Sequence, residues 1–318
     1  MKVIYNGSAD PKGFKDVLGV MVPEMLENDP ELIYLDADLM SCLGTAKYGA
    51  SHPDRAINVG IAESNMAGIA AGLAAAGFKP ICHTFGPFAS RRCYDQLFLS
   101  AGYGKNDITV IGTDPGITAA FNGGTHMPFE DMALYRAIPT AIICDTTDVT
   151  MLRSFLYMAK DMPGVKFIRV GRKVSHPIYP EDTEFKVGKG FVLRDGTDAT
   201  IIASGIMVHE ALQAAQKLEA EGISVAVIDP FTVKPLDTEL VLEYAKKTGA
   251  VVTAENHNKI GGLYSAVKET LDGEAKTGYV AIEDEYGEVG PQDYLRTRFD
   301  LTDDHIVRVV KETIAKKG

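Results

Sequence analysis

The sequence predicts an α/β protein of two three-layer domains, each with a mainly parallel sheet. Short apolar runs alternate with amphipathic segments of helical period along almost the whole chain, which is typical of buried strands covered by helices. A length of 318 residues is enough for two domains. A polar stretch after Pro177 and Pro180 separates two such alternations. We therefore expect domains of residues 1–180 and 181–318.

The first domain opens with an amphipathic segment that predicts a helix, FKDVLGVMVPEMLEND. Five apolar runs then predict the main strands of its sheet: LIYLDAD, KPICHTF, DITVIGT, TAIICDT and VKFIRVG. The second domain repeats the alternation with the strand-like runs DATIIASG, ISVAVIDPF and AVVTAENH. Its helices are predicted at MVHEALQAAQKLEAEG, at DTELVLEYAKKTG and along the terminal segment RTRFDLTDDHIVRVVKETIAKKG, with its Thr-Asp-Asp start.

The composition excludes several classes of function. A formal net charge of −11 opposes binding to nucleic acid or to anionic lipid. The chain has neither an apolar run of the ~20 residues that cross a membrane nor a secretory signal, so we expect a cytoplasmic protein. Its four cysteines form no C-x-x-C pair and are expected to be reduced. Phosphate-binding loops, serine-hydrolase elbows and zinc-protease motifs are also absent from the sequence.

Glu63 is the acidic residue at the head of an alanine- and glycine-rich helix, NVGIAESNMAGIAAGLAAAG. It follows the strand-like AINVG, at the sheet edge where open α/β folds bind ligands. The helix N-terminus favours the ionised carboxylate and apolar surroundings favour the protonated one, so this group is suited to proton transfer. The alternative is a glutamate that only complements the helix dipole. The small residues of the helix permit close contact with another helix.

Aromatic and basic residues follow the next strand, in HTFGPFASRRCYDQLF. Phe85 and Phe88 flank a Gly-Pro turn, where their rings are placed to stack on a flat heterocycle or to pack in the core. Arg91 and Arg92 are interpreted as a solvated face.

His126 lies in a long loop, GITAAFNGGTHMPFEDMALYRAIP, beside two glycines. Loops of this length are often functional, and a histidine there can donate a hydrogen bond or move a proton. The alternative is a histidine with a structural role only. Pro128 is expected to start a helix.

Charged residues end two other strands. Asp36 and Asp38 follow an apolar strand and are candidates for metal or hydroxyl recognition, with helix capping as the alternative, favoured for Asp36. Arg169 and Arg172 end the strand VKFIRVG, where one guanidinium can bind a phosphate. The alternative for these arginines is a surface position.

The segments GIAESNMAGIAAGLAAAG, TFGPF, GGTHMPFEDMALYRAIP and IRVGR, in this order, resemble the pyrimidine-binding domain of the transketolase family. The rest of the chain is similar to the transketolase C-terminal domain. The resemblance implies thiamine diphosphate as cofactor, with Glu63 on a ring nitrogen of its aminopyrimidine and Phe85 and Phe88 holding that ring. It implies that His126 contacts sugar hydroxyls or the donor carbonyl, and that Asp38 lies near cofactor or substrate.

Two further arginines are placed by the same resemblance. Arg172 most nearly matches an arginine that binds the sugar phosphate, and Arg91 stands where many transketolases have a tyrosine beside the pyrimidine. The chain also departs from the family at Asn122, where an acidic residue is usual, and near Thr113, where a histidine is usual. These departures leave the sugar open.

No Gly-Asp-Gly segment occurs in the chain, although relatives use one to bind diphosphate and magnesium. The sequence therefore resembles the C-terminal subunit of a split transketolase, which implies an N-terminal partner subunit that supplies the magnesium ligands and a heterotetramer of two copies of each chain. Expected substrates are sugar phosphates. Two alternatives remain: the β subunit of a 2-oxoacid dehydrogenase or a deoxyxylulose-phosphate-synthase-like enzyme, and a non-catalytic interaction subunit.

Overall fold

The computed structural model describes residues 3–171 and 175–317, which contain a seven-stranded and a five-stranded sheet. The strands in chain order are β1 (Leu32–Asp36), β2 (Ala56–Asn58), β3 (Lys79–Phe85), β4 (Ile108–Thr113), β5 (Ala141–Asp145), β6 (Val165–Val170), β7 (Phe191–Arg194), β8 (Ala199–Ala203), β9 (Val225–Asp229), β10 (Thr232–Lys234), β11 (Ala250–Asn258) and β12 (Lys276–Ile282). The first sheet has the order β10-β5-β6-β4-β3-β1-β2 and the second β12-β11-β8-β9-β7. Pairing is parallel except at β10 and β7, so the predicted α/β class is confirmed.

Thirteen α-helical segments precede, connect or follow these strands within the described ranges. They are α1 (Phe14–Asn28), α2 (Met40–Leu43), α3 (Ala46–Ser51), α4 (Glu63–Ala75), α5 (Gly86–Ser90), α6 (Tyr94–Gln96), α7 (Asp131–Arg136), α8 (Val149–Ala159), α9 (Met207–Ala220), α10 (Thr238–Thr248), α11 (Leu263–Leu271), α12 (Gln292–Arg298) and α13 (Asp303–Ala315). A π-helical segment, Leu97–Tyr103, continues α6, and two 3₁₀ turns, Gly116–Asn122 and Gly124–His126, occupy the long loop after β4.

The central strands are apolar because both of their faces are covered. Every residue of β1, β4, β6, β8 and β9 is buried, as expected for parallel strands between helical layers. The covering helices are amphipathic. On α1, for example, the buried side chains recur at helical spacing: Phe14, Val17, Leu18, Met21, Val22, Met25 and Leu26.

Several predicted boundaries are wrong in detail. The terminal segment forms two helices, because Asp300 adopts a left-handed conformation (φ 54°) and the Thr302 side chain caps the start of α13 by accepting from the His305 N–H. The helix expected at Pro128 starts at Asp131 instead. The domain boundary placed at residue 180 stays a prediction. Among the described residues, no helix is both long and apolar enough to cross a membrane.

Arg169 corrects one of our interpretations, because it is neither at the surface nor available to a phosphate. Its side chain is fully buried at the end of β6. The guanidinium contacts Asp131 (Nε–Oδ2 2.8 Å) and Asp145 (Nη1–Oδ1 2.9 Å), and Nη2 donates to the Asn256 carbonyl at 3.0 Å. Burial alone would lower its pKa, but the two carboxylates raise it. Arg169 thus joins the first sheet to β11 of the second.

Glu255, on β11, is expected to make the free energy of unfolding depend on pH. Its fully buried carboxylate accepts hydrogen bonds from the backbone N–H groups of Leu263 and Tyr264 at the start of α11, yet burial raises its pKa to about 8. A carboxyl with a raised native pKa binds more protons when folded, so its stabilising contribution is lost as the pH rises from about 4.5 to about 8. We expect Glu255→Gln to flatten the fall in unfolding free energy over this range, measured by urea denaturation. Identical pH profiles for both proteins would contradict this.

Candidate active site

The carboxyl ends of β1 to β4 meet at one edge of the first sheet, and the candidate residues follow these strands. Glu63 is the first residue of α4, as the sequence predicts, and is 3% exposed. Its carboxylate accepts hydrogen bonds from Nη1 of Arg92 at 3.0 and 3.1 Å and from the Thr84 hydroxyl at 3.4 Å. The negative charge at the N-terminus of α4 is also favoured by the helix dipole.

Phe85, Phe88 and His126 form an aromatic cluster at the end of β3. The ring centroids of Phe85 and Phe88 lie 6.3 Å apart, and His126 meets both rings edge-on at 5.7 and 5.1 Å. Gly86 makes this possible, because a Cβ there would lie 2.8 Å from Cγ of Pro128, in the loop that carries His126. The structure thus brings together residues that are about 40 positions apart in the chain.

His126 is half-buried, and its Nδ1 is 2.9 Å from the Thr125 hydroxyl. Arg91 approaches the same loop, with Nε 3.2 Å from Oε1 of Glu130 and Nη2 donating to the Thr125 carbonyl at 3.4 Å. Burial raises the pKa of Glu130, and the nearby Arg91 opposes that shift. Arg91 therefore anchors the histidine loop to the turn after α5.

Asp38 lies apart from the aromatic cluster, on the loop after β1. It is exposed and adopts a left-handed conformation, with φ 65°. Its backbone N–H donates to Oδ1 of Asn58 and its carboxylate accepts from Nδ2 of Asn58, both at 3.1 Å. Because Asn58 ends β2 and precedes the loop to Glu63, Asp38 borders the same sheet edge. Arg172 lies outside the described residues.

A buried network of polar side chains on β1, β3 and β4 was not predicted from the sequence. His83 on β3 contacts Asp36 through Nδ1 at 2.7 Å and the Thr113 hydroxyl through Nε2 at 3.3 Å, and all three side chains are buried. Asp36 also accepts from the Tyr34 hydroxyl at 2.6 Å and from the Leu39 N–H. Asp36 is therefore a structural residue. A histidine within an otherwise apolar buried strand was the available signal, because such a side chain needs a polar partner.

Comparison with known proteins defines the class of protein. The sequence profile described as "Transketolase, pyrimidine binding domain" matches residues 12–175, and that described as "Transketolase, C-terminal domain" matches residues 188–306. The chain therefore belongs to the transketolase family, which confirms the resemblance seen in its sequence.

Individual relatives include both split and single-chain proteins. The chain is 44% identical to the 6-deoxy-6-sulfo-D-fructose transketolase subunit SqwH of Clostridium sp. (strain MSTE9), over 96% of this chain and 95% of that one. It is 32% identical to mouse transketolase over 94% of its own length but covers only 48% of that protein. A solved structure titled "Split gene transketolase, inactive beta4 tetramer" matches with a TM-score of 0.88 and 35% identity, covering 97% of this chain and 100% of that one.

Proposed function

We propose that this chain is the pyrimidine-binding and C-terminal subunit of a two-chain, thiamine-diphosphate-dependent transketolase. It would transfer a two-carbon ketol unit from a ketose phosphate to an aldose. The observation that carries the proposal is the buried carboxylate of Glu63 at the same sheet edge as the Phe85, Phe88 and His126 cluster. A non-catalytic subunit has no physical need for this combination.

The residues at this edge fit an aminopyrimidine ring. Phe88 offers a ring face that already carries a flat cationic group, the Arg92 guanidinium, 3.8 Å from the ring centroid. The same guanidinium donates to Glu63, so a planar group can stack on the ring and donate an N–H to the carboxylate at once. When bound, thiamine diphosphate would supply both a carbon nucleophile and the electron sink that ketol transfer needs.

The chain's own residues would bind, orient and move protons. Glu63 would accept a hydrogen bond from a ring nitrogen and hold the proton there, in surroundings from which water is largely excluded. Phe85 and Phe88 would fix the plane of the ring. His126, whose Nδ1 is engaged by Thr125, would use Nε2 for a substrate oxygen. Asp38 would accept a hydrogen bond from a substrate hydroxyl. Arg91 would hold the histidine loop beside the ring, and Arg172 would bind the anionic group of the donor.

A partner subunit is part of the proposal. The diphosphate and magnesium would be held by an N-terminal transketolase subunit, in a heterotetramer with two copies of each chain. Two similar proteins support this: one is named as a transketolase subunit, and the other is titled as an inactive β4 tetramer of a split-gene transketolase. The small residues exposed on α4, Gly68 and Gly72, have open space around them, which suits a close helix contact.

Titration calorimetry of thiamine diphosphate with magnesium tests the proposal. We expect weak binding to this chain alone, and binding at least about tenfold tighter in a mixture with the N-terminal transketolase subunit from the same genome, because the partner then adds the diphosphate contacts to those of this chain. The tight component should vanish without magnesium. Absence of binding in every mixture would leave an interaction subunit as the better account.

The donor has a second candidate. SqwH, which is 44% identical to this chain, is named for 6-deoxy-6-sulfo-D-fructose, so a sulfonated ketose is an alternative to a ketose phosphate. Both carry an anionic group at the end distal to the reacting carbonyl, and a guanidinium binds either group. Steady-state kcat/KM of the reconstituted complex with fructose 6-phosphate and with its 6-sulfo analogue, using the same aldose acceptor, decides between them.

A further inference from the structure

Arg92 has no role in the proposed function, yet its side chain lies at the centre of the site. It follows Phe88 by four residues, in the turn after α5. The guanidinium carbon is 3.8 Å from the Phe88 ring centroid, a close cation–π distance. The Arg92 carbonyl accepts a hydrogen bond from the Ser64 hydroxyl in the first turn of α4. The backbone is therefore fixed beside Glu63.

The same guanidinium also occupies the carboxylate of Glu63. Nη1 lies 3.0 and 3.1 Å from the two oxygens of this residue, which is 3% exposed. A buried carboxylate without a partner is costly, so this ion pair stabilises the free chain. One planar cation thus satisfies both the ring of Phe88 and the charge of Glu63.

We infer that, in the free chain, the Arg92 guanidinium occupies the position on Phe88 and Glu63 where the aminopyrimidine would bind. Arg92 therefore competes with the cofactor for this position. This inference rests on the proposed function. A guanidinium is flat, stacks on aromatic faces and donates N–H groups in its own plane. These are the interactions that Phe88 and Glu63 would give to an aminopyrimidine, and both groups cannot have them at once. The cofactor therefore binds only the fraction of chains in which Arg92 has moved away.

The Arg92 side chain can move away from Phe88 and Glu63 without a change in the backbone. Its side chain is 46% exposed, so rotation about the side-chain bonds carries the charged end into water. An ion pair with one exposed partner is weak enough to be displaced by a ligand. The apparent dissociation constant of the cofactor is then the intrinsic constant divided by the open fraction.

Removing the guanidinium tests the competition in the reconstituted two-subunit complex. Arg92→Ala is expected to lower the dissociation constant of thiamine diphosphate about fivefold. Arg92→Lys keeps the charge but not the flat group, so its dissociation constant is expected to lie between those of the alanine variant and the wild type. The matched control is Arg298→Ala, in the part of the chain that carries the five-stranded sheet. The Arg298 guanidinium carbon also lies over a ring, 4.8 Å from the centroid of Phe299, and its Nη2 is 2.8 Å from a carboxylate oxygen of Glu285. The control should leave the constant unchanged.

Free guanidinium ion provides the complementary measurement. At non-denaturing concentrations, with sodium chloride as the ionic-strength control, it should weaken cofactor binding by the Arg92→Ala complex more than by the wild-type complex. An unchanged or larger dissociation constant for Arg92→Ala, in a wild-type complex that binds the cofactor, would overturn the inference while leaving the proposed function intact.

A cofactor-free experiment covers the case in which the proposed function fails. Urea unfolding of the free chain with Glu63→Gln, Arg92→Ala and the double variant forms a double-mutant cycle. We expect the two single effects to be non-additive, because each removes the same ion pair. Additive effects would mean that Arg92 does not hold Glu63 in the free chain, and the inference would fall whether or not the cofactor binds.

Discussion

Glu63→Gln is expected to lower kcat of the reconstituted complex by about 10³-fold, a typical loss for a positioned proton-transfer group. Glutamine keeps the size of the side chain and one hydrogen-bonding oxygen. It carries no charge, however, and cannot take up and return a proton at the ring nitrogen. The expected loss therefore falls mainly on turnover, with a smaller loss of cofactor affinity, and steady-state kinetics alongside calorimetry separates the two effects.

The matched control is Glu210→Gln in the second sheet's unit. Glu210 is also a buried glutamate in the first turn of a helix, α9, and Nη1 of Arg296 lies 2.5 Å from its Oε1. This variant should show a comparable loss of stability with turnover close to that of the wild type. If both variants lost turnover equally, or if Glu63→Gln kept more than a tenth of it, the catalytic role of Glu63 would be refuted.

The fold was predictable because its signals are local. An apolar run such as KPICHTF defines its own strand, and β3 has the predicted bounds, Lys79–Phe85. Strands β7 and β10 were not predicted because they have four and three residues and pair antiparallel to their neighbours. Strand β12 was also not predicted, although it has seven residues and pairs parallel to β11. The start of α13 agrees with the Thr-Asp-Asp signal, because the Thr302 side chain caps that helix. The separate helix α12 before it was not predicted.

The candidate site was predictable only in part, since its geometry depends on distant pairs. Glu63 was found because a carboxylate at the head of an apolar helix is unusual by itself. Its partner Arg92, 29 positions away, was interpreted as a solvated residue because nothing in the local sequence indicates where an arginine side chain points. Arg169 was placed at the surface or on a phosphate for the same reason, since its partners include the carbonyl of Asn256 in the second half of the chain. His83 was overlooked although a histidine in an apolar strand signals a buried polar partner.

Arg169→Met is expected to be the most destabilising of the proposed variants, by about 3–5 kcal/mol, because it leaves two buried carboxylates without their cation. Asp131 and Asp145 are 0% and 4% exposed, so water cannot replace the guanidinium at either. Burial already raises the pKa of Asp145, and Arg169 opposes that shift, so its removal would drive the carboxyl further toward the protonated form. Urea denaturation at pH 7 measures the loss.

Arg194→Met is the control for this prediction, because Arg194 pairs with Glu219 where that glutamate is 65% exposed. A pair of this kind contributes no more than about 1 kcal/mol. A loss below that value for Arg169→Met would mean that the two sheets hold together without the buried network. The expected large loss of unfolding free energy would instead show that the Arg169 guanidinium is needed for stability and is therefore not available to a substrate. Its three contacts, with Asp131, Asp145 and the Asn256 carbonyl, come from both halves of the chain.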